Sequence, residues 1–170
     1  DGTLVTDCYA GYAAHPAKAK QKCLAHLART ARDWQKVVPP ESTAHTFFSD
    51  VREWVRRGCR FYHQRRRGEL SSSQLAEEER WLRAELQRLE TCPLDHEKAT
   101  TLQSRIRKHA GQWLVFLDDP RVPPTNNLAE RALRPLVVLR KITFGHRSQA
   151  GAKRMATLMT IQETAKRHQR

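Results

Sequence analysis

No stretch of the chain stays apolar for the about 18 residues or more that a membrane-spanning helix needs, and the mean hydropathy is −0.73. A transmembrane protein is thereby excluded. Acidic residues are scarce: 18 Asp and Glu stand against 31 Lys and Arg, leaving a net charge of +13 over 170 residues. Cysteine is scarce too. The four thiols, at positions 8, 23, 59 and 92, contain no C-x-x-C pair. This argues against a disulfide framework and a four-cysteine zinc site, and for the reduced thiols of a cytosolic protein. There is no glycine-rich linker, no low-complexity segment and no internal repeat. The opening Asp1-Gly2-Thr3-Leu4-Val5-Thr6-Asp7 has neither the charged nor the apolar region of an export signal and reads like the middle of a domain.

What the chain does have is enough apolar side chains, 39 %, to build a core, and one domain fits its length. Its charge is unevenly placed. Residues 121–170 hold 11 basic groups and only two acidic ones, Glu130 and Glu163. A face of that sign attracts polyanions through counterion release, and DNA or RNA is the economical partner. A merely soluble basic surface is the plain alternative.

Thr3-Leu4-Val5-Thr6 predicts a short strand whose end projects the carboxylate of Asp7. A second strand is predicted around Gln21-Lys22-Cys23-Leu24, followed by a helix from Ala25 to Gln35 that Pro39-Pro40 cuts off. Three amphipathic patterns then form an all-helical block. The first, about His45 to Arg67, has Phe47, Val51, Trp54, Val55 and Tyr62 on one face and Arg52, Arg56, Arg60, His63 and Arg67 on another. The second, about Ser73 to Glu90, has a serine cap region and a stripe of Leu75, Leu82, Leu86 and Leu89. The third, about Asp95 to Leu117, turns Leu102, Ile106, Trp113 and Leu117 inward. Pro120, Pro123 and Pro124 force an extended passage. Asn127 and Glu130 then have capping-box spacing, which predicts a helix to about Leu139 with Pro135 kinking or splitting it. A loop at His146 to Gln149 and a helix from about Ala150 to Arg167 follow.

Two acids stand where chemistry is built. Asp7 ends a strand and Glu130 opens a helix after a rigid approach, and such carboxylates supply the hard oxygen ligands that two-metal phosphoryl transfer needs. The plainer readings are that Asp7 caps its turn and Glu130 closes the capping box. Cys23-x-x-His26 is a weak zinc half-site, and a buried thiol beside a hydrogen-bonded imidazole is the structural alternative. Arg131, Arg134, Arg140, Lys141 and Arg147 crowd around Glu130 in sequence. Arg134 at i+4 suits an intrahelical ion pair, whereas the group as a whole suits the phosphates of a bound strand.

The run Pro123-Pro124-Thr125-Asn126-Asn127-Leu128-Ala129-Glu130-Arg131-Ala132-Leu133-Arg134-Pro135-Leu136, continued by Arg140-Lys141 and Phe144-Gly145, resembles the signature block of the insertion sequence 66 family of bacterial transposases. Leu4-Val5-Thr6-Asp7 with Gly11-Tyr12 resembles that family's second-aspartate strand, and Cys23-Leu24-Ala25-His26 its Cys-x-x-His element. The resemblance implies a DDE transposase that cleaves DNA and transfers strands in transposition. Asp7 and Glu130 would be its second and third acids, catalytic and metal-binding, holding two Mg²⁺ (or Mn²⁺) ions. It further implies DNA contacts by Arg131, Arg134, Arg140, Lys141 and Arg147, structural roles for Cys23 and His26, and action in the bacterial cytoplasm at the nucleoid. Its partners would be transposon-end and target DNA, a homo-oligomer and accessory proteins of the same element, with no membrane. The fold class it implies is mainly α with few short strands: a partial ribonuclease H-like α/β core carrying a helical insertion. Residues 1–40 would belong to that core, 41–120 to the insertion and 121–170 to the helices bearing the Glu. The family's first aspartate lies on an earlier strand, and Asp1 is too close to Asp7 to replace it. The chain is therefore expected to be the C-terminal part of the catalytic domain, inactive by itself. A non-catalytic, basic DNA-binding remnant is the rival reading.

Overall fold

The computed structural model describes residues 2–145 and 147–168. Asp1 and His146 lie outside the described residues. The chain is mainly helical with two short strands. It divides after Asn126 into two compact units.

In the first unit, β1 (Thr3–Thr6) and β2 (Ala19–Lys22) run parallel in the register Thr3↔Ala19 to Thr6↔Lys22. The connection between them holds a 3₁₀ turn at Ala10–Tyr12. The second strand lies two residues earlier than expected, because the helix α1 (Leu24–Gln35) starts directly after Cys23. At that junction the Leu24 amide donates to the carbonyl of Pro124 at 2.9 Å. The proline-lined passage is thus tied to the first turn of α1.

Helices α2 (Thr43–Arg67), α3 (Ser72–Thr91) and α4 (Glu97–Lys108) build the block read from the hydrophobic periodicity. Their ends follow from side-chain and glycine chemistry. Ser42 accepts the His45 amide at the start of α2. Ser71 and Gln74 form a reciprocal capping box on α3. Gly68, at φ 68°, ends α2 in the left-handed region while the Glu69 amide returns to the Gln64 carbonyl at 3.0 Å. One hydrophobic cluster runs from Leu24 and Leu27 of α1 through Phe48, Val51 and Trp54 of α2 to Leu82, Leu89, Leu102 and Ile106. The indole of Trp54, 1 % exposed, donates to the Leu82 carbonyl at 2.9 Å and so joins α2 to α3.

The third helix of the block does not run from Asp95 to Leu117. It stops at Lys108, a 3₁₀ turn follows at Ala110–Gln112, and a short α5 (Val115–Asp118) stands apart. The physical reason is Gln21 of β2. Fully buried, its amide donates to the Trp113 carbonyl at 2.8 Å and accepts the Phe116 amide at 3.1 Å. The Leu117 amide, which a continuous helix would aim at Trp113, goes to Leu114 instead.

The second unit holds α6 (Asn127–Ile142), with Pro135 inside it, and α7 (Gln149–His168). Helix α6 begins at Asn127 itself and outlasts the expected end near Leu139 by a turn.

Candidate functional site

Asp7 follows the last residue of β1, where strand geometry releases its side chain from the sheet. Its Oδ1 accepts the Tyr9 amide at 2.9 Å, an Asx turn that fixes the carboxylate. From the neighbouring strand, the ammonium of Lys22 donates to the Asp7 carbonyl at 2.9 Å and to Thr6 Oγ1 at 3.4 Å. Lys22 is 4 % exposed, so the backbone at Asp7 is held by a buried cation. Asp7 opens onto a cleft of about 540 Å³ shared with Cys8, Tyr9, His26, Arg29, Trp34 and Arg105, among others. Arg105 of α4 lies over the Trp34 ring, 5.8 Å from its centroid, and donates to Thr30 Oγ1 at 3.4 Å. Burial pushes the Cys8 thiol up, against the pull of Lys22 and Arg105. Burial likewise lowers the nearby His109, and Lys22, Lys108 and Arg105 add to it.

Cys23 is 1 % exposed at the N-cap of α1, and its sulfur accepts the Asn126 amide at 3.3 Å. His26, one turn on, lines the Asp7 cleft.

In the second unit, Glu130 sits in the first turn of α6. A shallow cleft of about 520 Å³ brings it together with Asn127, Arg131, Arg134, Val137, Val138 and Lys141. Arg134, four residues after Glu130, thus shares an open cleft with it. Arg140 and Arg147 are exposed outside that lining. The oxygens of Asp7 and Glu130 are the hard donors that Mg²⁺ or Mn²⁺ takes, so each fits as a single ligand. Among the described residues, no three His, Cys, Asp or Glu side chains gather into a metal-binding group.

Reasoning from sequence missed Lys22, Trp34 and Arg105. Only a Lys in a strand whose partner ends at the acid pointed to the first, and nothing local pointed to the others. The family model for the transposase IS66 family matches residues 1–154. The chain belongs to that family. Its match covers the first unit and residues 127–154 of the second, and with them the candidate site residues from Asp7 to Arg147. No curated protein and no solved structure matches the chain. Membership of the transposase IS66 family supports a transposase role and implies DNA as partner, and DDE transposases use divalent metal ions. Among the described residues no helix is long and apolar enough to cross a membrane.

Proposed function

We propose that this chain supplies two acids, Asp7 and Glu130, to a DDE transposase that cleaves and joins DNA in transposition within the bacterial cytoplasm. The observation that carries the proposal is the setting of Asp7. It stands at a strand end, fixed by the Tyr9 amide and the buried Lys22, and opens on a cleft with Arg29 and Arg105. In this reading residues 1–40 and 121–170 belong to a ribonuclease H-like core and residues 41–120 are its helical insertion. Asp7 and Glu130 act beside the family's earlier aspartate, and Cys23 and His26 serve structure.

Two Mg²⁺ or Mn²⁺ ions, when bound, activate the attacking oxygen and stabilise the leaving one. The protein's own part is positional. The Asx turn holds the Asp7 carboxylate ready and Lys22 holds the backbone that carries it, at little cost in side-chain entropy on binding. Arg131, Arg134, Arg140, Lys141 and Arg147 neutralise phosphates and set the register of the strand. In this reading the complete enzyme acts on transposon-end and target DNA as a homo-oligomer, with accessory proteins of its element.

The test is strand transfer by the full transposase carrying Asp7→Asn or Glu130→Gln. Both should lose more than the about 10–100-fold that removal of an outer-shell partner costs, with salt-dependent DNA binding preserved. Unchanged strand transfer by either variant overturns that residue's assignment.

A further inference from the structure

Helix α6 ends in a way that favours no aromatic residue. The Gly145 amide returns to the Arg140 carbonyl at 2.8 Å, the six-to-one bond that closes a helix C-terminus. In that closure the residue before Gly145 must be left-handed, and it is Phe144, at φ 56°. Glycine is the usual occupant because a Cβ is strained there, and Gly68 fills the equivalent place at the end of α2. Phe144 is the one non-glycine residue with positive φ among those described. Its ring is 99 % exposed, so burial does not offset the strain. Backbone strain kept without a packing return is a mark of function.

The surroundings say what the ring would meet. Arg140, Lys141 and Arg147 lie within four residues of Phe144, and all three are exposed. Thr143 Oγ1 donates to the Leu139 carbonyl at 2.9 Å, which ties the tip of the turn to the helix. A flat apolar ring presented on a fixed turn among cations fits a polyanion that also offers flat apolar faces. A nucleic acid strand does so, with phosphates for the cations and a base for the ring.

We propose that Phe144 is a base-stacking residue: its ring packs against a nucleobase of bound DNA while Arg140, Lys141 and Arg147 hold the flanking phosphates. This rests on the reading of the chain as a DNA-acting transposase and goes beyond it by naming a contact to a base. A ring inserted at a kinked step of a duplex and a ring stacked on an unpaired base share this chemistry.

The experiment titrates this chain with one labelled oligonucleotide, as single strand and as duplex, at two salt concentrations. Phe144→Leu keeps bulk and apolarity but removes the flat π-face. It should weaken binding roughly tenfold without changing the salt dependence, because no phosphate contact is touched. Phe144→Trp should retain affinity, and saturating DNA should quench its fluorescence beyond any quench of the four tryptophans in the parent. Loss confined to the single strand identifies an unpaired base, and loss confined to the duplex a kinked step. Thermal unfolding separates a structural role: Phe144→Gly should be no less stable than the parent, since it relieves the strain. Parent-like binding by Phe144→Leu, or no quench beyond the parent's in Phe144→Trp, overturns the proposal and leaves the transposase reading intact. A parent that binds neither oligonucleotide overturns both. A marked loss of stability in Phe144→Gly makes the residue structural and overturns the stacking role alone.

Discussion

Helices α2 and α6 both carry an apolar stripe and a row of cations, yet their surroundings have little in common. The apolar face of α2 is covered: Phe48, Val51, Trp54 and Phe61 are essentially inaccessible. That of α6 is open, with Leu128, Leu133, Val137, Val138 and Ile142 between 45 and 69 % exposed. The cations differ in the same sense. On α2, Arg57 grips Glu78 through two bonds of 2.7 and 2.9 Å while stacking on Trp81, Arg65 meets Glu79 at 3.4 Å, and Arg56 and Arg67 pair with Glu53 and Glu69. On α6, Arg131, Arg134 and Lys141 line an open cleft around a single acid. Even the termini diverge, with Gly68 in the left-handed position of one and Phe144 in that of the other. Two helices of like sequence character are thus put to different uses. Arg57 and Arg65 tie α2 to α3, whereas the cations of α6 stand where a large anion can reach them.

The contrast is open to measurement. The largest effect belongs to Trp54→Ala, which empties a packed site and removes the indole bond to the Leu82 carbonyl. We expect a loss of about 3–5 kcal/mol in chemical denaturation. An equal loss from Leu133→Ala would break the contrast, since an exposed substitution should stay within about 0.5 kcal/mol. Next comes Gln21→Leu, which strips the side-chain partner from the Trp113 carbonyl and the Phe116 amide and should cost about 1–3 kcal/mol. A comparable shift is expected in DNA affinity. Replacing Arg131, Arg134 and Lys141 together with Ala should flatten the dependence of log affinity on log salt by about 0.9 for each phosphate no longer neutralised. The same treatment of Arg56, Arg57 and Arg67 should leave that slope unchanged and lower stability instead. The smallest effect concerns pH. Hydrogen bonds from Arg121 hold the Asp119 carboxyl down to about 2 from its ordinary 3.8. Because the folded value is depressed, the contribution is present above pH 3.8 and is lost as pH falls through about 2. Asp119→Asn should remove only that acid-limb slope, and a change in the slope near neutral pH would contradict it.

The elements that sequence made legible are those whose signal is local. Leucine and tryptophan spacing located α2 and α3 to within two residues at either end, and the serine run marked the start of α3. The break at Lys108 was not legible, because its cause, Gln21, lies 92 and 95 residues from the backbone groups it binds. Strand β2 was misplaced by two residues because Ala-Lys-Gln-Lys has no alternating pattern. Pairing with β1 makes it a strand, and Gln21 and Lys22 are buried because each finds polar partners there. At the site, Asp7 and Glu130 stood out by position. Trp34 and Arg105 did not, since the bond between Arg105 and Thr30 spans 75 residues.

The clasp made by Gln21 also sets an order of assembly. Helices α1 to α3 form from neighbours in sequence and can associate as soon as they leave the ribosome. Strand β2 emerges before them, yet its buried glutamine finds no partner across the fold until Trp113 and Phe116 have been synthesised. Closing so long a loop is slow, and the bonding that rewards it comes only at the end. Asp7, near the start of the chain, should therefore be among the last residues to reach its final setting.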